Sequence, residues 1–270
     1  MRTYSLDDVY ETRKRRDSWW TVYFVDPVAC RVALPVANRT RMTPNGLTVF
    51  SLVLGTVSAA CFAMDRLVAG ALLFYLSFMV DCVDGKIARL KGTGTPFGLW
   101  LDYVGDRVRV VLCAGGLAYG QYALTGDVRY VVLGAAVAVL DLFRYVNAPQ
   151  MKRVREAVRE ERGEPEPAGE DTVPLERVPV DRGPRMPSFF RRLNRFLARH
   201  RVRSHLVSGI EFHAAVFVIA PLAGVWALMP LAVAAGVLLL ANEIFLVYRM
   251  WLFTRRHGVS SQESREHVLV

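Results

Sequence analysis

Long apolar runs separated by charged segments dominate the chain. Six of these runs are near the ~20 apolar residues that a helix needs to cross a bilayer core. They predict spanning helices at about 45–64, 67–90, 96–123, 128–147, 206–228 and 231–253. Two other stretches mix aromatic, apolar and charged residues, and each predicts an amphipathic helix in the membrane interface. The expected fold class is therefore an all-α integral membrane protein with six transmembrane helices and with N-terminal and mid-chain interfacial amphipathic helices.

The two interfacial stretches each have an alternative interpretation. The first, at 18–41, could be a first spanning helix, but Asp26, Pro27 and Arg31 interrupt it. The second, at 188–203, places its apolar residues on one stripe with arginines around it, which favours contact with anionic lipid. A helix that binds a soluble partner is the alternative for this second stretch.

These patterns divide the chain into five regions. The segment at 150–187 is polar and rich in proline, and it has too little apolar content to form a core, so we expect it to be flexible. The predicted regions are a cytosolic N-terminus with an interfacial helix at 1–42, transmembrane helices 1–4 at 43–149, a flexible cytosolic loop and interfacial helix at 150–205, transmembrane helices 5–6 at 206–254, and a cytosolic tail at 255–270.

Composition and charge favour a membrane partner over nucleic acid. The chain is 53% hydrophobic and 22% charged, with a mean hydropathy of +0.24, which is typical of a polytopic membrane protein with charged cytosolic segments. The net charge is +9, but many basic residues adjoin apolar runs. The expected partners are therefore membrane lipids or a phosphate-bearing substrate.

The distribution of basic residues predicts the orientation. With the N-terminus in the cytosol, the outer loops fall near 65–66, 126–129 and 229–230, and they hold only Arg66 and Arg129 of the 34 basic residues. This asymmetry follows the positive-inside rule. Both termini, and the polar motif described next, are expected to face the cytosol in a cytoplasmic (inner) membrane.

The candidate chemistry lies between positions 81 and 106, DCVDGKIARLKGTGTPFGLWLDYVGD. Residues three or four apart share one face of a helix, so the helical period of the acids and small residues here predicts two helical stripes. Two glycines and a proline between the stripes permit a tight reversal, so the stripes can face each other. The stripes are Asp81, Asp84 and Ala88 on one side, and Gly98, Asp102 and Asp106 on the other.

Four opposed carboxylates repel one another in a low-dielectric site unless divalent cations lie between them. Oxygen ligands select hard ions, and such ions bind phosphates, with a pair of ions stabilising attack at phosphorus. We therefore expect two Mg²⁺ or Mn²⁺ ions. Ion pairing with Arg89, Arg107 or Arg109 is the alternative, but four acids in register exceed what pairing needs, and acids inside membranes are energetically expensive.

The motif resembles, at every position of its signature, the CDP-alcohol phosphotransferases (CDP-alcohol phosphatidyltransferases), which are integral-membrane enzymes of phospholipid biosynthesis. The resemblance implies transfer of a phosphoalcohol group, such as phosphatidyl, from a CDP-alcohol donor such as CDP-diacylglycerol to an acceptor hydroxyl, with release of CMP. It also implies that Asp81, Asp84 and Asp102 hold the divalent ions, and that Asp106 both joins the metal site and acts as general base. Spacing alone does not say which of the four acids is the base.

The same motif supplies candidate nucleotide-binding residues. Its small residues leave room for a nucleotide near the backbone, although close helix packing would also explain them. Arg89 could make a forked contact with diphosphate oxygens, or it could be an ordinary arginine at a cytosolic helix end. Resemblance to the phosphatidylinositol-phosphate synthase branch adds Thr95, and the family's Pro-Asn element adds Asn45. The full predicted set is Asn45, Gly85, Ala88, Arg89, Thr95 and Gly98.

Further polar residues near the cytosolic ends of later helices could shape a pocket for the acceptor, which could be a phosphorylated polyol. The alternative is that they are ordinary polar residues at helix ends. These residues are Asp141, Arg144, Arg153, Arg203 and Glu211. His213 is predicted to be a hydrogen-bonded polar residue rather than a ligand.

Small residues spaced four apart predict close helix contacts in the membrane. One such pair is Gly116 and Gly120, and another is Gly134 and Ala138. The resemblance to the family implies a homodimer.

Two function classes are consistent with the acidic cluster. One is a metal-dependent CDP-alcohol phosphotransferase, and the other is a divalent-cation transporter or channel that uses the acids as an ion-binding site. The transporter hypothesis gives no reason for the small residues and the arginine of the motif.

Overall fold

The computed structural model describes residues 3–161, 200–202 and 208–268. Within these ranges the protein is helical and contains no β-strand. A π-helical segment, Thr21–Val25, leads into α2, and a second, Ala215–Ile219, interrupts α7. The helices are α1 Leu6–Glu11, α2 Asp26–Arg39, α3 Pro44–Ala63, α4 Leu67–Lys91, α5 Pro96–Thr125, α6 Arg129–Glu161, α7 Gly209–Ala223 and α8 Val225–Val268.

Four helices, α3, α4, α6 and α8, are long and apolar enough to cross a membrane. The all-α membrane fold class is therefore confirmed. Helix α5 has 30 residues, but the acids and arginines of its first half lower its hydropathy. Helix α7 is apolar and shorter than the other four. The predicted spans at 45–64 and 67–90 coincide with α3 and α4 to within one residue at each end.

Short polar caps and one glycine set the ends of the helices that carry the motif. Thr43 precedes α3 and its hydroxyl accepts a hydrogen bond from the Gly46 amide, and Thr95 does the same for the Gly98 amide at the start of α5. Helix α4 ends at Gly92, whose φ of 64° lies in the left-handed region that favours glycine. These signals produce the tight reversal after α4, and α5 then packs against α3.

The small residues of α5 pack against α3 of the same chain. A Cβ added at Gly116 would lie 2.3 Å from the Ala59 carbonyl oxygen, and one at Gly120 would lie 2.1 Å from that of Phe62. A Cβ at Gly134 of α6 would lie 2.5 Å from the Cβ of Ala118 in α5. The predicted close contacts therefore exist, but they hold α3, α5 and α6 together within one chain.

The fourth predicted span ends too early. Helix α6 continues to Glu161, so the first part of the expected flexible loop at 150–187 is helical. Its residues are mostly Lys, Arg, Glu, Met and Ala, which favour helix, and Lys152 pairs with Glu156 at 3.5 Å one turn later. The remainder of that loop, most of the predicted interfacial helix at 188–203, and Arg203 lie outside the described residues.

The boundary between the last two helices was also misplaced. Sequence analysis put a loop near 229–230, whereas the chain turns at Gly224, whose φ is 101°. Pro230 lies inside α8, near its start. Pro230 is the sixth residue of α8 and is accommodated inside the helix, whereas the backbone at Gly224 is readily adopted only by glycine, so the chain turns at Gly224.

Candidate metal centre

Helices α4 and α5 bring three of the four motif acids together. Carboxylate oxygens of Asp81, Asp84 and Asp102 all lie within 4.8 Å of one another. Asp84 is only 5% exposed, and Asp81 and Asp102 are half-buried. Three like charges at this separation in a membrane helix bundle repel one another strongly unless a cation neutralises them.

Hydroxyl groups from α3 orient two of these carboxylates. The Thr48 hydroxyl donates to Asp84 Oδ2 at 2.5 Å, and the Ser51 hydroxyl donates to Asp81 Oδ1 at 3.2 Å. Thr48 and Ser51 are both buried. They were not predicted, although two hydroxyl residues three apart in a largely apolar helix mark a polar face.

Asp106 is paired with an arginine instead of joining the group of three. Its Oδ1 forms an ion pair with Arg109 of the same helix, and its Oδ2 lies 3.6 Å from the Arg107 guanidinium. Arg109 is 4% exposed, also lies 3.5 Å from Asp81 Oδ1, and donates to the Ser77 hydroxyl at 3.2 Å. Arg109 thus pairs with Asp106 and also lies beside Asp81, whereas Asp81, Asp84 and Asp102 remain clustered.

Three predicted nucleotide-binding residues meet where α3 and α5 begin. A Cβ at Gly98 would lie 2.4 Å from the side-chain oxygen of Asn45 and 3.1 Å from the Thr95 hydroxyl. Only a residue without a side chain fits here with Asn45 in this position. The structure therefore brings Asn45, Thr95 and Gly98 together at the edge of the acid cluster.

The other predicted nucleotide-binding residues follow Asp84 along α4. Arg89 is exposed, and its Nε donates to the Thr12 carbonyl oxygen at 2.8 Å, at the end of α1. A Cβ at Gly85 would lie 3.5 Å from the Arg89 guanidinium, an ordinary contact distance. Ala88 is half-buried beside them. Within the described residues, Arg89 contacts the N-terminal segment and no acid of the motif.

A second polar cluster lies next to Asp106. Arg107 pairs with the buried Asp141, and its guanidinium carbon lies 3.4 Å from the centre of the Tyr145 ring. His213 Nε2 lies 2.7 Å from Asp141 Oδ1, so His213 is hydrogen-bonded as predicted. This network joins α5, α6 and α7.

The residues suggested for an acceptor pocket are dispersed. Arg144 pairs with the buried Glu243 of α8 at 3.1 Å, and Arg153 is exposed on α6. Glu211 caps the start of α7 through Ser208, and it accepts a hydrogen bond from the Trp19 amide at 3.1 Å. Arg144 and Glu211 therefore have structural partners, and among the described members of the set only Asp141 lies in the polar cluster beside Asp106.

One buried ion pair was not predicted. Lys86, two residues after Asp84, is 4% exposed, and its Nζ lies 2.7 Å from Asp26 Oδ1 in α2. Arg201 also reaches Asp26, at 3.3 Å. Because the partners are far apart in sequence, no local pattern identifies this pair.

The helices that carry the acid cluster match a known protein family. Residues 41–165, which span α3, α4, α5 and α6, match the family model described as CDP-alcohol phosphatidyltransferase. This segment is therefore similar to CDP-alcohol phosphatidyltransferases. The acid cluster, its hydroxyl partners from α3 and the contact of Asn45 with Gly98 all lie within the matched segment.

Curated proteins that are similar to this segment carry related names. An archaetidylinositol phosphate synthase of Methanothermobacter thermautotrophicus is 31% identical over 105 residues, which is 38% of this chain and 50% of that protein. The phosphatidylinositol phosphate synthase of Mycobacterium tuberculosis is 34% identical over 82 residues, 29% of this chain and 38% of that protein. The matches thus span half or less of the relatives' length.

A solved structure is also similar to this chain. The crystal structure of the M. tuberculosis phosphatidylinositol phosphate synthase in apo form is 23% identical, with a TM-score of 0.39, over 82% of this chain and 95% of that one. A second structure of that protein, in complex with manganese and citrate, is 24% identical with the same TM-score, over 83% of this chain and 89% of that one.

Proposed function

We propose that the protein transfers a phosphatidyl group from CDP-diacylglycerol to the hydroxyl of an acceptor and releases CMP, in phospholipid biosynthesis. The observation that carries this proposal is the cluster of Asp81, Asp84 and Asp102, whose carboxylate oxygens lie within 4.8 Å, inside a segment that matches the family model. No observation within the described residues favours the transporter hypothesis.

The acid cluster fits a divalent cation. Its donors are all oxygen, which suits Mg²⁺ or Mn²⁺, and two of the three carboxylates are already oriented by hydroxyl groups. When bound, such ions neutralise diphosphate charge and lower the pKa of a nearby hydroxyl. We propose two ions. A second ion at Asp106 would require the ion pair between Asp106 and Arg109 to open.

The chain's own groups then have distinct roles in a direct displacement. Asp106 is proposed as the general base that accepts the proton of the attacking hydroxyl. Because Arg109 holds Oδ1 of this carboxylate, Oδ2 is the oxygen better placed to accept it. The acceptor oxygen bonds to the phosphorus that carries the donor alcohol, the bond from that phosphorus to the CMP oxygen breaks, and CMP leaves.

The nucleotide is proposed to bind along the starts of α3 and α5 and the end of α4. Asn45, Thr95 and Gly98 meet there, which supports a shared role. Arg89 is exposed, so its guanidinium is accessible to a diphosphate. The residues proposed to contact the CDP moiety are Asn45, Gly85, Ala88, Arg89, Thr95 and Gly98.

The acceptor is proposed to be a phosphorylated polyol. The names of the two relatives, an archaetidylinositol phosphate synthase and a phosphatidylinositol phosphate synthase, support this class. The network of Arg107 and His213 around Asp141 adjoins Asp106, the proposed base, so we propose that the acceptor binds beside this network.

In the membrane, we propose six spans with α5 and α7 among them, and both termini and the acid cluster on the cytosolic side. The paucity of basic residues near 64–66 and 126–129 supports this orientation. We also propose a homodimer. Since Gly116 and Gly120 pack against α3, its interface must use a different surface.

The test uses the purified full-length protein with CDP-diacylglycerol, Mg²⁺ or Mn²⁺ and a panel of acceptors, and it measures CMP release and the mass of new lipid. We expect metal-dependent CMP release that Asp84→Asn and Asp106→Asn abolish. Asp127→Asn, which removes an acid paired with Arg129 outside the cluster, is the matched control and should keep activity. Full CMP release by both site variants would refute the assigned roles.

A further inference from the structure

The Arg109 guanidinium lies between two acids of the motif. Its Nη2 pairs with Asp106 Oδ1, and its Nη1 lies 3.5 Å from Asp81 Oδ1 and donates to the Ser77 hydroxyl at 3.2 Å. The side chain is 4% exposed, and within the described residues its Nε makes no hydrogen bond. Arg109 is therefore a buried cation on the border between Asp106 and the acid cluster.

Both carboxylates that face Arg109 are also proposed metal ligands. The acid cluster contains Asp81, and the second ion is proposed to bind at Asp106, whose Oδ1 Arg109 already holds. By contrast, Arg107, the other arginine near Asp106, is also paired with Asp141 outside the cluster. Two ions in the site would therefore take the counter-charges of Arg109, and they would also repel its guanidinium at short range.

Arg109 needs a new anion if Asp106 is to bind an ion. A buried charge that loses its partner strongly destabilises the folded protein. The remaining neighbours compensate little, because Ser77 is neutral and the centre of the Phe78 ring is 5.9 Å from the guanidinium carbon. A diphosphate carries negative charge on oxygen atoms that suit a guanidinium fork. If Asp106 gains an ion while Arg109 gains a diphosphate, every buried charge keeps a partner.

We propose that Arg109 exchanges partners when the donor binds: it holds Asp106 in the protein alone, and it pairs with a diphosphate oxygen once Asp106 binds the second ion. This inference rests on the proposed function and deepens it. It gives Arg109 a role in substrate binding and sets the order of the two ions. The acid cluster binds one ion without nucleotide, and Asp106 binds the second only together with the diphosphate. Asp106 Oδ2 stays available for the proton of the acceptor, because the exchange concerns Oδ1.

The test counts the Mn²⁺ ions bound to each folded full-length protein by electron paramagnetic resonance. The count is made without nucleotide, with CDP as the diphosphate probe, and with cytidine, which lacks phosphate. The wild type is compared with Arg109→Gln and with Arg129→Gln, which removes an arginine that is 73% exposed and outside the site. A further variant, Asp106→Asn, removes the carboxylate proposed to bind the second ion. Circular dichroism follows helical content, and CDP affinity is measured at saturating Mn²⁺.

We expect the wild type to bind one Mn²⁺ alone or with cytidine, and two with CDP. Arg109→Gln should bind two without nucleotide, because no guanidinium then competes for Asp106. Its CDP affinity should fall roughly tenfold, as loss of a charge-assisted hydrogen bond implies. Arg129→Gln should match the wild type, and Asp106→Asn should bind one ion even with CDP. A merely structural role for Arg109 would lower stability without adding an ion.

Two results would overturn the inference while CMP release, and so the proposed function, stays intact. In the first, the wild type binds two ions without nucleotide, or only one with CDP. This result does not depend on whether Arg109→Gln folds. In the second, a folded Arg109→Gln protein still binds one ion without nucleotide. A wild-type protein that releases no CMP from CDP-diacylglycerol with any acceptor would refute the proposed function and this inference together.

Discussion

The hydroxyl of Thr48 in α3 donates a 2.5 Å hydrogen bond to Oδ2 of Asp84 in α4. Both side chains are buried, at 6% and 5% exposed. Helix α3 carries none of the four acids, but through this bond it orients the Asp84 carboxylate of the acid cluster. Helix α3 therefore takes part in the metal site through hydroxyl groups, and α4 and α5 provide the carboxylates.

Replacing Thr48 tests this orienting role. Thr48→Val keeps the shape of the side chain and removes the donor, so Asp84 loses its hydroxyl partner. Residues that orient metal ligands in this way typically contribute about 10–100-fold to metal affinity. We expect Mn²⁺ affinity, measured by electron paramagnetic resonance, to fall by roughly tenfold, whereas Thr48→Ser should stay near the wild type. Equal Mn²⁺ affinity for the Val and Ser variants would argue against an orienting role.

Arg109 is expected to be important for stability as well as for the site. Arg109→Met removes the closer of the two arginines that pair with Asp106, and it also removes the guanidinium beside Asp81. Removing one partner of a buried ion pair typically destabilises by about 3–5 kcal/mol. Thermal unfolding in detergent should show a large loss for this variant. Arg129→Gln, at a side chain that is 73% exposed, is the control and should unfold like the wild type. An unchanged unfolding temperature for Arg109→Met would contradict the pairing.

Replacing Gly98 is expected to weaken nucleotide binding and to change the stability of the fold little. In Gly98→Ala the new Cβ would lie 2.4 Å from Asn45 Oδ1, and the Asn45 side chain can rotate away, so the fold should persist while the amide leaves its position. We expect KM for CDP-diacylglycerol to rise several-fold, on the order of one lost hydrogen bond. Gly94→Ala, four residues earlier with nothing within 4 Å of its added Cβ, is the matched control. If both variants had the same KM, the contact of Gly98 with Asn45 would have no role in binding.

Replacing Gly120 tests whether this residue packs within the chain or at an interface between two chains. An added Cβ there would lie 2.1 Å from the Phe62 carbonyl oxygen, and backbone cannot move as a side chain can. Gly120→Ala is therefore expected to destabilise the protein by about 1–3 kcal/mol, as overpacking does. Gly115→Ala, with nothing within 4 Å, should leave stability unchanged. A Gly120→Ala protein with wild-type stability but a smaller mass in native membrane extracts would instead place Gly120 in a dimer interface.

The features that could be predicted from sequence are those encoded by nearby residues. The helical spacing of Asp81, Asp84 and Asp102 predicted two facing stripes, and the apolar runs located α3 and α4 closely. These signals are local because helix periodicity and membrane-spanning length are properties of short windows.

What sequence analysis missed depends on contacts between distant residues or on competing local signals. The pair of Lys86 with Asp26 and the bond of Thr48 to Asp84 join different helices, so no window contains both partners. The sequence alone does not decide whether Asp106 pairs with Arg109 or faces a metal ion, because a carboxylate at this position suits either partner. The last turn, predicted near 229–230, lies at Gly224, because a short apolar stretch with both a glycine and a proline offers two competing local breaks.

The central claim is that Asp81, Asp84 and Asp102 together bind a divalent cation. The most direct measurement is a Mn²⁺ titration of the purified protein by electron paramagnetic resonance, with helical content followed by circular dichroism. We predict that the wild type and Asp127→Asn bind Mn²⁺ with equal affinity, and that Asp84→Asn keeps its helical content but binds at least about 100-fold more weakly, as loss of a direct carboxylate ligand implies. A folded wild type that binds no Mn²⁺, or an Asp84→Asn variant that binds it as tightly as the wild type, would contradict the account.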